Sequence, residues 1–238
     1  MKLNLKSVVG IAAISAAGVL SSAASTVTYD FSQVSSGSAP AGTPPWVQAS
    51  FTDVGMPADT VQLTLSAGNL AGSAYVSCWY FNIDSLLDPT ALQFTGAASS
   101  GSFMAPAIST GANAFKAGSD GKFDILFAFS STGDDSTRFT SGDSVTFTIT
   151  GIGGLTVQDF NQLSTSAGGV GAYASAVHIQ SGESTAWVNP STTQIQGNAD
   201  DVPPQRSVPD ASTTIALLGT SLAGIAVLRR KLKSRSTP

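Results

Sequence analysis

Four stretches of this chain alternate apolar and polar residues with a period of two, and that pattern restricts the fold more than any other feature. Val27, Tyr29 and Phe31 alternate with Thr28 and Asp30, and Val61, Leu63 and Leu65 alternate with Gln62 and Thr64. Phe123, Ile125, Phe127 and Phe129 form the longest aromatic row, and Val145, Phe147 and Ile149 repeat the scheme around Thr146 and Thr148. Successive side chains on a strand point to opposite faces, so such rows read as half-buried antiparallel strands. Less regular apolar runs at Trp46–Val54, Tyr75–Ile83, Ala91–Phe94, Leu155–Leu163 and Ala172–Gln180 bring the expected total to about nine strands. Acid usage agrees: fourteen of the fifteen acids are Asp, which suits turns, and Glu183 is the exception. The expected fold is all-β, an antiparallel β-sandwich of the jelly-roll or immunoglobulin-like kind, over residues 25–188.

The intervals between strands carry turn chemistry. Ser35 to Pro45 reads as a long proline-bearing loop, and Gly96 to Gly121, mostly Gly, Ala and Ser, reads as an extended surface excursion. From Asn189 to Ser207 aromatic residues vanish and Ser, Thr, Gln, Asp and Pro take over. Residues 189–207 are therefore expected to be a disordered linker.

Both ends of the chain are apolar, in different ways. Lys2 and Lys6 precede an apolar run from Val8 to Leu20, followed by the small residues Ser22, Ala23 and Ala24. This is the order of a secretory signal peptide, 1–24, with cleavage after Ala24. At the other end, residues 211–228 hold no charge and stop at five cations within residues 229–235. Eighteen helical residues are about 27 Å long, just short of the ~30 Å hydrocarbon core. The run is apolar on every face, and Lys and Arg remain on the cytoplasmic side of a membrane. A transmembrane helix over 211–228 with a basic cytoplasmic tail over 229–235 is expected.

The C-terminal segment 208–235 also carries a resemblance. Val208, Pro209 and Asp210, the Ser/Thr step, Ala216-Leu217-Leu218-Gly219, Leu222-Ala223-Gly224 and the stop at Arg229, Arg230 and Lys231 resemble the PEP-CTERM sorting domain in its Val-Pro-Asp variant. Asp210 stands where the usual signature has Glu, and Ala211 stands where the variant often has Ser. The resemblance implies transient recognition by an exosortase, a membrane cysteine protease or transpeptidase that cleaves near the Pro-containing signature. It further implies a bacterium that exports polysaccharide, and a destination in the outer envelope or extracellular matrix. A second resemblance runs from Ala74 to Trp187, on Cys78 to Asp84 with Asp88-Pro89, Phe123 to Ile125, Arg138 to Asp143 and Ala176 to Gln180. It is to an ectodomain often found with such tags, and it implies an exported matrix protein without an assigned activity.

Charge narrows the partners. Between Asp30 and Asp210 lie all fifteen acids and only Lys116, Lys122, Arg138 and Arg206, a formal charge of −11 against −4 for the whole chain. Such a surface repels nucleic acid and anionic lipid. One His and one Cys cannot supply a common zinc site, and Cys78 has no partner for an intramolecular disulfide. Cys78 reads as a packed core thiol. His178 lies on a strand, and no Gly-x-Ser-x-Gly elbow accompanies it. The pairs Asp84/Asp88, Asp120/Asp124 and Asp134/Asp135 sit beside turns, where Asp is a good turn residue. Asp134, Asp135 and Asp143 are candidate Ca²⁺ ligands, since two loop ends would offer several oxygens. Trp46 and Trp187 are candidate glycan-stacking residues. The leading reading is a non-catalytic exported envelope or matrix protein that touches extracellular polysaccharide. A secreted carbohydrate-binding module, calcium-assisted, comes second, and a glycoside hydrolase third.

Overall fold

The computed structural model describes residues 24–167 and 172–196, with the backbone alone at 97 and 192–196. The expected signal sequence before Ala24, the sorting signal and the helix over 211–228 lie outside the described residues. Among the described residues no helix is long and apolar enough to cross a membrane.

Eleven strands follow in order: β1 Thr26–Gly37, β2 Val47–Thr52, β3 Val61–Ser66, β4 Ala74–Phe81, β5 Gln93–Ser100, β6 Ala107–Lys116, β7 Lys122–Ala128, β8 Phe139–Thr140, β9 Ser144–Thr150, β10 Ser175–Ser181 and β11 Ser184–Gln196. All pairings are antiparallel, and they join into one sheet ordered β5-β9-β3-β2-β1-β11-β10-β4-β7-β6, with β8 beside β4. The all-β antiparallel expectation is met. The expected division into two sheets is replaced by one continuous sheet that curls on itself.

Ring contacts measure the curl. Phe51 on β2 and Phe81 on β4 are four strand steps apart, about 19 Å in a flat sheet, yet their centroids stand 5.1 Å apart. Phe94 on β5 and Phe127 on β7 are eight steps apart, about 38 Å if flat, and their centroids stand 5.4 Å apart. The sheet is therefore nearly barrel-shaped, and its inner face is the core. Val27, Tyr29, Phe31, Leu63, Leu65 and Ile149 are fully buried, as the alternating rows require. The buried Tyr29 hydroxyl donates to the Phe160 carbonyl at 2.8 Å, which satisfies the one polar atom of that row.

Four expectations need correction. Leu155–Leu163 is no strand: Val157–Phe160 forms a 3-10 turn, because Asp159 Oδ2 accepts from the Thr156 backbone N at 2.8 Å and its hydroxyl at 3.1 Å and bends the chain there. Gly96–Gly121 is largely strand, as the rest of β5 and all of β6. These two strands end the sheet, so most of their side chains are exposed on both faces and no alternation marks them.

The linker boundary also moves. β11 continues eight residues past Val188, and Asn189 is fully buried. Pro190, which lacks an N–H, stands opposite Phe31 where the β1–β11 register shifts, a place where a strand tolerates proline. Cys78 is the fourth correction. Cys78 pairs with His178 and Val76 with Ile179, so Ser77 is an inserted residue. The bulge turns Cys78 and Tyr80 to the outer face while Trp79 and Phe81 point inward. There Cys78 is half-buried against a small second cluster of Tyr80, Phe123, Ala117 and Ala176.

Candidate functional site

A polar groove of about 230 Å³ opens at one end of the curled sheet, where β4 runs out. Asn82, Asp84, Asn113, Asp124, Gln162 and Leu163 are among its lining residues, drawn from four separated stretches of chain. Asp124 organises it. Its Oδ2 accepts from Ile83 N at 3.1 Å, and its Oδ1 accepts from Asn113 N at 2.7 Å. Asn113 has φ 50°, and the β6–β7 register breaks between Thr110 and Phe115. The buried carboxylate thus pins a bulge of an edge strand to the end of β4. Asp84 Oδ1 accepts from Leu86 N at 2.9 Å, and Asn82 Nδ2 donates to the Gln162 carbonyl at 3.4 Å. Carboxylate, amide and aliphatic groups side by side suit a ligand rich in hydroxyls. No single segment of the sequence announces this groove, because Asn, Asp and Gln at its rim look like ordinary turn residues.

The aromatic residues expected to stack on sugars do not form a platform. Trp46 is 6% exposed and Trp79 fully buried, so neither offers a ring face. Trp187 is half-buried, with its ring 4.7 Å from that of His178 and 5.7 Å from that of Tyr80. Gly118, at φ +51°, passes close enough to the Trp187 indole that a Cβ there would fall 2.8 Å from it. Trp187 is partly covered because the strand pattern places it over the outer cluster.

The carboxylates have mostly structural partners. Asp88 accepts from the Thr90 backbone and hydroxyl, which holds its carboxyl below the usual range. Asp134 is likewise lowered by the hydroxyl and backbone N–H of Ser136. Asp143 is folded inward and accepts from Thr140 N at 2.7 Å, and Asp135 is exposed. Among the described residues, no group of three or more His, Cys, Asp or Glu side chains is placed to hold a metal ion.

Asp120 differs. It is fully buried, with Oδ2 accepting from Ser35 Oγ at 2.9 Å and Asn189 Nδ2 at 3.2 Å. Among the described residues, its Oδ1 and the Asn189 Oδ1 have no hydrogen-bond partner. Burial pushes the Asp120 carboxyl above its ordinary value, against the lowering effect of Ser35 and Asn189. The folded state then holds this proton more tightly than the unfolded chain. Asp120 therefore favours folding fully below the ordinary carboxyl pKa, and that contribution is lost as pH rises through the raised value. It does not line the groove, so the raised carboxyl and the groove carboxylates are separate.

His178 Nδ1 lies 2.7 Å from Ser77 Oγ, a contact across β4 and β10 that depends on the bulge. Ser77 is 5% exposed and also bonds the His178 carbonyl at 3.2 Å. Burial lowers the His178 pKa, so the ring is neutral at pH 7. The pair fills the bulge. Ala24 is exposed at the start of the described chain, and Val208, Pro209, Asp210, Arg229, Arg230 and Lys231 lie outside the described residues.

Comparison with known proteins identifies one segment. Residues 207–232 match the model of the VPDSG-CTERM motif. This motif is a variant of the PEP-CTERM-like exosortase sorting signal, and it implies an exported substrate of an exosortase-type enzyme. No curated protein and no solved structure matches the chain.

Proposed function

We propose that this chain is a non-catalytic protein of the outer envelope or extracellular matrix, held at the inner membrane by its C-terminal segment until an exosortase removes that segment. The observation that carries the reading is the motif over 207–232 directly behind a β domain. A non-catalytic role is supported at Asp124, the buried carboxylate of the groove, because both its oxygens are engaged by backbone N–H groups. A general acid or base needs an oxygen within reach of substrate.

Replacing Pro209 and Asp210 together by Ala in the producing cell tests the reading. The precursor is expected to become the main species and to stay with the inner membrane. Unchanged processing and location would leave only a simple membrane anchor.

The groove favours a second reading, in which the domain binds a hydroxyl-rich polysaccharide there without an aromatic platform. Asn113→Ala with Gln162→Ala is expected to weaken binding of the cell's own exopolysaccharide about tenfold, the loss of roughly one good hydrogen-bonded contact. Absence of binding by the unaltered protein sinks this second reading and leaves the first intact.

A further inference from the structure

Signal-peptide cleavage is expected after Ala24, and the corner that holds Ser25 is built around one carboxylate. Ala24 is exposed, whereas Ser25 is 3% exposed. The Ser25 backbone N donates to Asp53 Oδ1 at 2.6 Å. The Ser25 carbonyl accepts from Asp53 N at 3.2 Å and from Thr52 Oγ1 at 3.3 Å. Gln158 Nε2 lies 3.4 Å from Ser25 Oγ, and Val157 N donates to the other Asp53 oxygen at 3.3 Å. One aspartate thus joins the first residue of the domain, the turn after β2 and the 3-10 turn Val157–Phe160.

No cation stands near by in sequence. Lys, Arg and His are absent from Ser25 to Phe115 and again from Phe139 to Val177, which covers every segment of this corner. The other charged groups here are acids. Asp59 accepts from Gly154 N at 2.6 Å, and Asp159 is engaged with Thr156.

We propose that cleavage between Ala24 and Ser25 places a positive charge at this contact, as the α-ammonium group of Ser25 paired with Asp53. Water supplies the balance. Its hydroxyl joins the Ala24 carbonyl carbon, its proton joins the Ser25 nitrogen as the peptide bond breaks, and one more proton from solvent makes –NH₃⁺. The atom that donates to Asp53 is the same before and after, so maturation converts a hydrogen bond from a neutral amide donor into an ion pair without moving the strand. This rests on the export reading above. It assigns Asp53 as the receptor for the new N-terminus.

A free α-amino group titrates near 7.7–8.0. Pairing with Asp53 raises that value, so the added stability is complete below about pH 7.7 and is lost as pH rises through the raised pKa. The test uses mature protein from the producing cell. N-terminal sequencing is expected to read Ser25 first. A chain still beginning at Met1 overturns the export reading and this proposal with it, whereas a cut at any other bond overturns this proposal alone. The Ser25 amine is then acylated at pH 7, where about tenfold slower reaction than a free α-amine is expected, the equivalent of a one-unit rise in pKa. Asp53→Asn is expected to restore the ordinary rate, and Asp59→Asn to leave the slow rate unchanged. An ordinary rate in the unaltered protein overturns the ion pair, whether or not the Asp53 variant folds.

Discussion

A chain ending at residue 188 is expected to show no cooperative unfolding transition at 37 °C, whereas one ending at residue 196 unfolds in a single step. β11 lies between β1 and β10 in the sheet order, so it joins the half built from β5, β9, β3, β2 and β1 to the half built from β10, β4, β7 and β6. Residues 189–196 of β11 pair with β1 from Thr26 to Gln33. Their removal strips that stretch of β1 of one partner strand, at about 0.5–1.5 kcal/mol for each backbone hydrogen bond lost. Asn189 goes too, and with it the donor to Asp120 Oδ2 and to the Ser175 carbonyl. A buried carboxylate left with fewer donors costs about 1–3 kcal/mol more. The sum approaches the roughly 5–15 kcal/mol that holds a whole domain together. Circular dichroism melting of the two chains checks it, and equal transitions would place residues 189–196 outside the domain.

Phe81→Ala is expected to cost about 3–5 kcal/mol, the range for a large aromatic cut out of a packed core. Phe81 is fully buried, and its ring meets those of Tyr29 at 6.3 Å, Phe51 at 5.1 Å, Trp79 at 6.1 Å and Phe127 at 5.9 Å. These rings come from β1, β2, β4 and β7, so one side chain fastens strands far apart in the sheet. Leu86→Ala serves as the control: Leu86 is 64% exposed, and its loss is expected to fall within about 0.5 kcal/mol. Urea titration measures both. A cost below 1 kcal/mol for Phe81→Ala would mean that the sheet does not close over this ring.

The inner face of the sheet was legible because burial on one side forces alternation. Val27, Tyr29 and Phe31, or Val145, Phe147 and Ile149, have one placement in which all three are covered. Where that force is absent, the sequence is silent. β5 and β6 are edge strands whose Ser, Ala and Gly face water on both sides, so their composition resembles a loop. Asn189 and Pro190 look like linker residues, but pairing with β1 uses backbone groups that every polar residue carries. Leu155, Val157 and Phe160 suggest a strand by their apolar character, and the carboxylate of Asp159 decides for a turn instead. The single residue inserted at Ser77 reverses which of its neighbours face the core, and no periodicity reveals a bulge beforehand.

The same reasoning explains what was legible about function. The sorting motif is contiguous, so a short stretch of residues carries its whole message, and the match over 207–232 agrees with the reading of Val208, Pro209 and Asp210. The groove is discontinuous, and its residues meet only after β4, β6, β7 and the segment around Gln162 have assembled. Trp46 and Trp187 drew interest as aromatics near loops; aromatic area is worth most when buried, and Trp46 is buried while Trp187 is half-buried against Tyr80 and His178. The Asp53–Ser25 contact could be found only once the turn after β2 and the start of β1 were seen together.

The C-terminal segment is, in this reading, an address removed from an exported β domain. The intact mass of the protein recovered from the envelope and the medium decides whether that removal takes place. The expected mass is that of a chain that retains β11 through Gln196 and lacks the apolar run 211–228 and the cations at 229–235, with its new C-terminus near Pro209. A recovered protein whose mass still includes Arg229, Arg230 and Lys231 would contradict it.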